Sequence, residues 1–299
     1  MHLLYGNNGQ EDIMNPASPQ QVAIVTDSTA DLPLDLINKY GIHVIPLYLI
    51  MSGNTWRDGV DISPAKFYEL LKTSPDFPKT SQPNEADFEG LFSKLSREAD
   101  GIVAVLISNE LSGTVASALA ARAALPDIPI EIVDSRGVSM MEGYVVLSAA
   151  RAAAQGEDLQ SVAAAARALI GRTHVYFIVD TFEYLYRGGR IGAAVKLLGS
   201  ALNIKPVLEI VDGVVKPLAQ VRTRHKALNK VNELLEKQIS PGQKIHISVI
   251  NVAAAEDASR LKDELVARFQ PVEIYETDCS PVLGAHVGPG TVGVAFYIE

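Results

Sequence analysis

Short, continuous apolar runs alternate along this chain with segments whose apolar positions recur every three or four residues, the pattern of buried strands separated by amphipathic helices. In the first half, Val22 to Val25, Val44 to Ile50, Ile102 to Ile107 and Ile130 to Val133 read as strands. The helices predicted around them open at Leu32-Pro33-Leu34-Asp35-Leu36 and cover Pro64 to Lys72, Asn84 to Ser96 and Val115 to Ala124, followed by the Ala-rich stretches Met140 to Gln155 and Leu159 to Ile170. Strands that are apolar throughout belong to a sheet covered on both faces, so this order predicts a doubly wound parallel sheet.

The texture then changes. His174 to Val179 reads as a strand, and Leu208 to Val215 carries Asp212-Gly213 at its centre, the signature of a tight hairpin between antiparallel strands. Helices are predicted over Lys226 to Glu236 and Ala254 to Phe269, with strands over Ile245 to Ile250, Val272 to Glu276 and Val292 to Ile298. The fold class is therefore α/β with two domains: an N-terminal doubly wound parallel-sheet domain, 21–171, and a C-terminal α+β domain with a mixed or antiparallel sheet, 172–299. Residues 1–20 are expected to form a disordered leader, because they are polar and lack the basic segment followed by an apolar core that marks a secretory signal.

Composition narrows the function classes. With 299 residues, 47% of them hydrophobic, the chain can build two substantial cores. A formal charge of −9, with Lys and Arg scattered, offers no basic field and argues against a nucleic-acid partner. A single cysteine, Cys279, excludes an internal disulfide and a Cys-based zinc site, which fits a cytoplasmic protein. No apolar run approaches the roughly 20 residues that span a bilayer, so the chain is not expected to be membrane-embedded.

Ligands of doubly wound sheets collect at the loops after the carboxyl ends of strands, where this chain places its hydroxyl-rich segments. These are Thr26-Asp27-Ser28-Thr29, Thr80-Ser81-Gln82-Pro83 and Leu111-Ser112-Gly113-Thr114. Two further segments are Tyr186-Arg187-Gly188-Gly189-Arg190-Ile191-Gly192 and Gly284-Ala285-His286-Val287-Gly288-Pro289-Gly290. The last puts a lone His in a glycine-bracketed turn before a strand, a combination suited to an anionic head group. Thr80 and Ser112 equally fit the caps of the helices that follow them, and Arg187 and Arg190 could neutralise Asp180 and Glu183. Asp27 with Ser28, taken alone, suggests a metal or phosphate site. No phosphate-binding GxxxxGK[ST] loop, GxSxG elbow, HExxH or GxGxxG motif accompanies it, and no metal site is predicted. Asp58 and Asp61 read as a solvated acidic turn, and His43, His174, His225 and His246 as core or surface residues.

Taken in order, these segments, together with Val25-Thr26-Asp27-Ser28, Ile132-Val133-Asp134-Ser135 and Val179-Asp180-Thr181, resemble the DegV family of bacterial fatty-acid-binding proteins over about residues 22 to 298. The resemblance implies a lipid-binding carrier, not an enzyme, that encloses one long-chain fatty acid between its domains. It implies presentation of the carboxylate to a separate fatty acid kinase for acyl-phosphate formation and phospholipid synthesis. It assigns the carboxylate to Thr80, Ser81, Ser112, Thr114 and His286, with Arg187 or Arg190, Gly284 and Gly288 supporting or facing a partner. No cofactor beyond the bound lipid is expected. The alternatives are a phosphotransferase-like enzyme acting on a small substrate, or a lipid-sensing regulatory protein.

Overall fold

In the computed structural model, residues 22–197, 204–240 and 242–299 are described. The expected leader lies outside them. The first part of the chain runs through β1 (Val22–Asp27), α1 (Leu34–Tyr40), β2 (His43–Ile45), β3 (Tyr48–Met51), β4 (Asn54–Arg57), α2 (Pro64–Thr73), β5 (Lys79–Ser81), α3 (Glu85–Leu95), β6 (Gly101–Leu106), α4 (Thr114–Ala124), β7 (Ile130–Asp134), α5 (Met140–Ala154) and α6 (Leu159–Leu169).

Strands β2, β1, β6 and β7 pair in that order and in parallel. Alternate residues of the central strands feed two cores. Ala23, Val25, Ile102 and Ala104 pack against Phe88 and Phe92 of α3 and Val115 and Ala118 of α4. Val22, Ile24, Val103 and Val105 face Met140 and Tyr144 of α5. Both faces are covered by helices, which is why the strands are apolar without interruption.

The predicted strand Val44 to Ile50 is two strands in two sheets. Pro46 has no N–H to donate to a ladder, so pairing with β1 stops at Ile45, and β3 joins a separate antiparallel sheet of order β4-β3-β5. Thr80, expected in a loop, sits on β5 opposite Leu49.

The second part comprises β8 (Thr173–Ile178), α7 (Glu183–Arg187), β9 (Lys205–Val211), β10 (Val214–Val221), α8 (Arg224–Gln238), β11 (Ile245–Val252), α9 (Ala255–Phe269), β12 (Glu273–Asp278), α10 (Pro281–Val287) and β13 (Thr291–Ile298). Its six strands lie in the order β10-β9-β8-β13-β11-β12. All neighbours are antiparallel except β11 and β12, giving the mixed sheet. Asp212 and Gly213 turn the β9–β10 hairpin with φ of 55° and 81°, the double positive φ of a primed turn. Helices α8 and α9 cover one face through Leu228, Val231, Leu261 and Leu265. The other face looks toward α5, which packs on strands of both large sheets. Gly171 turns the chain between α6 and β8, and we propose the division into 21–171 and 172–299 at that turn.

Helix α10 replaces the predicted glycine-bracketed turn around His286. Ser280 caps it by accepting from Leu283 N–H, Pro281 occupies its first turn, and Gly288 ends it at φ 78°. His286 therefore projects from the last turn of a helix.

Candidate functional site

A cavity with about 900 Å³ of empty volume, counted out through its mouth, lies between the two large sheets. Its body is apolar because it is walled by the inner face of the mixed sheet: Val175 and Phe177 on β8, Ile210 and Val215 on the hairpin, and Ile250 and Val252 on β11. Ile107, Leu111 and Leu283 close it from the other side. Its polar lining comprises Ser139, Thr291 and the group Thr80, Gln82, Ser112, Arg190 and His286. An apolar body with a few convergent polar groups is the form of a small-molecule site.

Four elements assemble that polar group. Thr80 Oγ1 on β5 lies 2.8 Å from His286 Nε2 on α10, 206 residues away. Ser112 Oγ lies 2.9 Å from Thr114 Oγ1 at the start of α4. Arg190 Nε donates to the Leu111 carbonyl at 3.0 Å, and its Nη1 donates to the Gly188 carbonyl at 2.7 Å, joining the loop after β6 to the loop after α7. Burial, aided by the positive charge of Arg190, lowers the His286 pKa to about 4, so the ring is neutral at pH 7. The arrangement offers hydroxyls and a guanidinium beside an apolar cavity, a setting that can receive an anionic head group.

Residues 21–299 match the family model described as "Uncharacterised protein, DegV family". Protein DegV of Bacillus subtilis is 32% identical over 276 residues, 92% of this chain and 98% of that protein. A DegV domain-containing protein of Streptomyces coelicolor is 37% identical over 277 residues, again 92% of this chain and 98% of the relative. The chain belongs to the DegV family. Among solved structures, a fatty-acid-binding DegV family protein from Thermus thermophilus superposes with a TM-score of 0.88 at 34% identity, covering 93% of this chain and all of its own. DegV of Bacillus subtilis, described as a fatty acid binding protein, gives a TM-score of 0.87 at 31% identity, covering 94% of this chain and 100% of its own.

Within this DegV chain, the residues predicted for the site do not all reach the cavity. Thr80, Ser112, His286 and Arg190 line it. Ser81 points away and donates to the Gln82 carbonyl at 3.3 Å from an exposed position. Thr114 is fully buried behind Ser112. Arg187 is held outside, paired with Glu183 at 3.1 Å and stacked 3.9 Å from the Phe77 ring centroid. Gly284 and Gly288 admit close neighbours, since a Cβ would stand 2.3 Å from Tyr68 Oη at the first and 2.3 Å from Tyr184 Cδ2 at the second. Gln82 and Gly188 went unassigned in the sequence although both lie at the polar end. The Arg-Gly-Gly-Arg spacing was the available signal for Gly188.

Asp58 corrects another expectation. Asp61 is the exposed partner of Arg57, as a solvated turn requires. Asp58 is 2% exposed, with its Oδ2 accepting from Ser28 Oγ at 2.8 Å. Burial raises its pKa to about 7, and that of neighbouring Asp31 likewise. Asp27, fully buried, accepts from Thr29 N–H, Thr29 Oγ1 and Ile107 N–H and so pins the β1 loop to the end of β6. Among the described residues no group of three His, Cys, Asp or Glu side chains could hold a metal ion. No helix among them is long and apolar enough to cross a membrane.

Proposed function

We propose that this protein is a cytoplasmic carrier that encloses one long-chain fatty acid, its tail along the inner face of the mixed sheet and its carboxylate at the polar end of the cavity. The observation that carries this reading is the joining of a channel walled by Val175, Phe177, Ile210, Val215, Ile250 and Val252 to the convergent set Thr80, Ser112, His286 and Arg190. A buried carboxylate must receive hydrogen bonds, because an uncompensated buried charge costs several kcal/mol. Thr80 and Ser112 donate directly. Thr114 and His286 set the orientation of those two hydroxyls, and Ser81 has no place in the cavity wall. Arg190, rather than Arg187, supports the site, by locking Leu111 and Gly188 together while its charge faces the head group.

The fatty-acid-binding DegV proteins of Thermus thermophilus and Bacillus subtilis support the choice of ligand. The carrier role is supported by the setting of His286: Thr80 occupies Nε2 and Gly188 faces Nδ1, so no carboxylate activates the ring as a base. The bound acid itself is the ligand, no further cofactor is invoked, and the carboxylate is handed to a separate fatty acid kinase that forms an acyl phosphate for phospholipid synthesis. Arg187, outside the cavity, belongs to the partner-facing side, and Gly284 and Gly288 to the support of the same site.

A displacement titration of delipidated protein with long-chain fatty acids tests the reading. Saturable binding at one site per chain is expected, and absence of binding by any such acid overturns it. Incubation of the loaded protein with a fatty acid kinase and ATP tests the second half: labelled acyl phosphate is expected, and labelled acid returned unchanged refutes the presentation role.

A further inference from the structure

We propose that Gly188 is a positioning residue that fixes the proton of His286 on Nε2 and thereby leaves the Thr80 hydroxyl hydrogen free to be donated toward the cavity. The inference rests on the carboxylate-binding reading and adds to it the polarity of the site.

The Cα–H bond of Gly188 that any L side chain would replace points at the His286 ring. A Cβ in its place would stand 2.3 Å from Nδ1, 3.1 Å from Cε1 and 2.9 Å from the Tyr184 carbonyl oxygen, so only glycine fits. His286 Nδ1 is buried and has no hydrogen-bond partner. A proton on Nδ1 would be pressed against the Gly188 hydrogen with no acceptor in reach, leaving a buried donor unsatisfied. An unprotonated Nδ1 instead turns its lone pair toward a C–H group, a weak but favourable contact.

The neutral ring has one proton, and the surroundings of Nδ1 send it to Nε2. Nε2–H then donates across the 2.8 Å contact, and Thr80 Oγ1 accepts. The hydroxyl hydrogen of Thr80 is left free of the ring and available to the cavity that Thr80 lines. Arg190 Nη1 secures the arrangement by holding the Gly188 carbonyl at 2.7 Å. The Thr80 side of the site thus offers a hydrogen, which suits an acceptor head group such as a carboxylate.

The tautomer is read directly from long-range proton–nitrogen correlation spectra of protein labelled with 15N-histidine at pH 7, the His286 signals being assigned by their loss in His286→Gln. A neutral ring protonated at Nε2 is expected. A ring protonated at Nδ1, or an imidazolium, overturns the proposal. Gly188→Ala is expected to abolish the Nε2–H pattern and weaken fatty acid binding roughly tenfold. An unchanged spectrum and affinity in that variant would also overturn it. Should Gly188→Ala not fold, Thr80→Val decides: it is expected to bind fatty acid roughly tenfold more weakly than the parent, and undiminished binding by the folded variant contradicts the donor role. The tautomer needs no ligand for its measurement, so a protein with the expected ring that binds no fatty acid would sink the carrier reading alone.

Discussion

Ser108 Oγ donates a 2.9 Å hydrogen bond to the carbonyl oxygen of Gly213, fastening the loop after β6 to the tip of the β9–β10 hairpin. The contact is close enough that a Cβ on Gly213 would lie 2.3 Å from that hydroxyl. Arg136 Nη2 donates to the Asp212 carbonyl beside it at 2.9 Å. Ile210 and Val215, flanking the tip, are cavity walls, so the seat of the hairpin also sets the closure of the cavity. Ser108→Ala is expected to cost about 1–3 kcal/mol, the penalty of a buried carbonyl deprived of its donor. The urea midpoint should fall with little change in slope, and release of bound fatty acid should quicken in stopped-flow exchange. An unaltered midpoint would mean that this bond does not hold the tip.

Thr80→Ala combined with Ser112→Ala removes both hydroxyls assigned to the carboxylate. Each charge-assisted hydrogen bond is worth about 1.5–3 kcal/mol, so the double variant should bind fatty acid at least a hundredfold more weakly while its far-UV circular dichroism stays that of the parent. Full affinity in a folded double variant would remove these residues from the site.

Asp58 gives a pH signature opposite to that of a paired carboxylate. Burial raises its folded pKa to about 7 from the ordinary 3.8, so between about pH 4 and 7 the folded state holds a proton that the unfolded state has released. Stability is fullest at the acid end of that window and falls as pH rises through 7. Asp58→Asn abolishes this titration and should flatten the decline, gaining on the order of a few kcal/mol relative to the parent at pH 8. Guanidinium unfolding at pH 5 and pH 8 measures it, and parallel pH profiles for parent and variant would contradict the assignment.

Glu273 runs the other way. Burial pushes its carboxyl up, but hydrogen bonds from His246 and Tyr275 and the two-oxygen grip of Arg151 outweigh this and bring it to about 2. Its contribution is present above the unfolded value of about 4.5 and is lost as pH falls toward 2. Glu273→Gln should destabilise by about 1–2 kcal/mol at pH 7 and have no effect near pH 2, a difference that thermal melts at the two pH values would expose.

The layout of the chain was legible where local chemistry and burial agree. Uninterrupted Val and Ile runs marked β1 and β6, and Asp212-Gly213 marked the hairpin, because two-sided burial and double positive φ each leave a local signature. The failures came where long-range packing decides. Residues 44–50 read as one strand since their apolar run masks the missing donor at Pro46. Asp58, in a polar turn, is buried by the packing of distant segments, which no neighbour in sequence announces. His286 was read in a turn because the flanking glycines outweighed Ser280-Pro281, a helix start that was there to be used. Thr80, Ser112, His286 and Arg190, singled out by the order of their motifs, line the cavity, whereas Ser81 and Arg187 share those motifs but do not line it, a distinction of side-chain direction that spacing does not carry.

The most direct test of the central claim is denaturing extraction of the purified protein followed by mass spectrometry of the released lipids. One long-chain fatty acid per chain is expected, retained through purification because its tail lies against the mixed sheet. An extract without fatty acid, from protein that after delipidation also takes up none in titration, would contradict it.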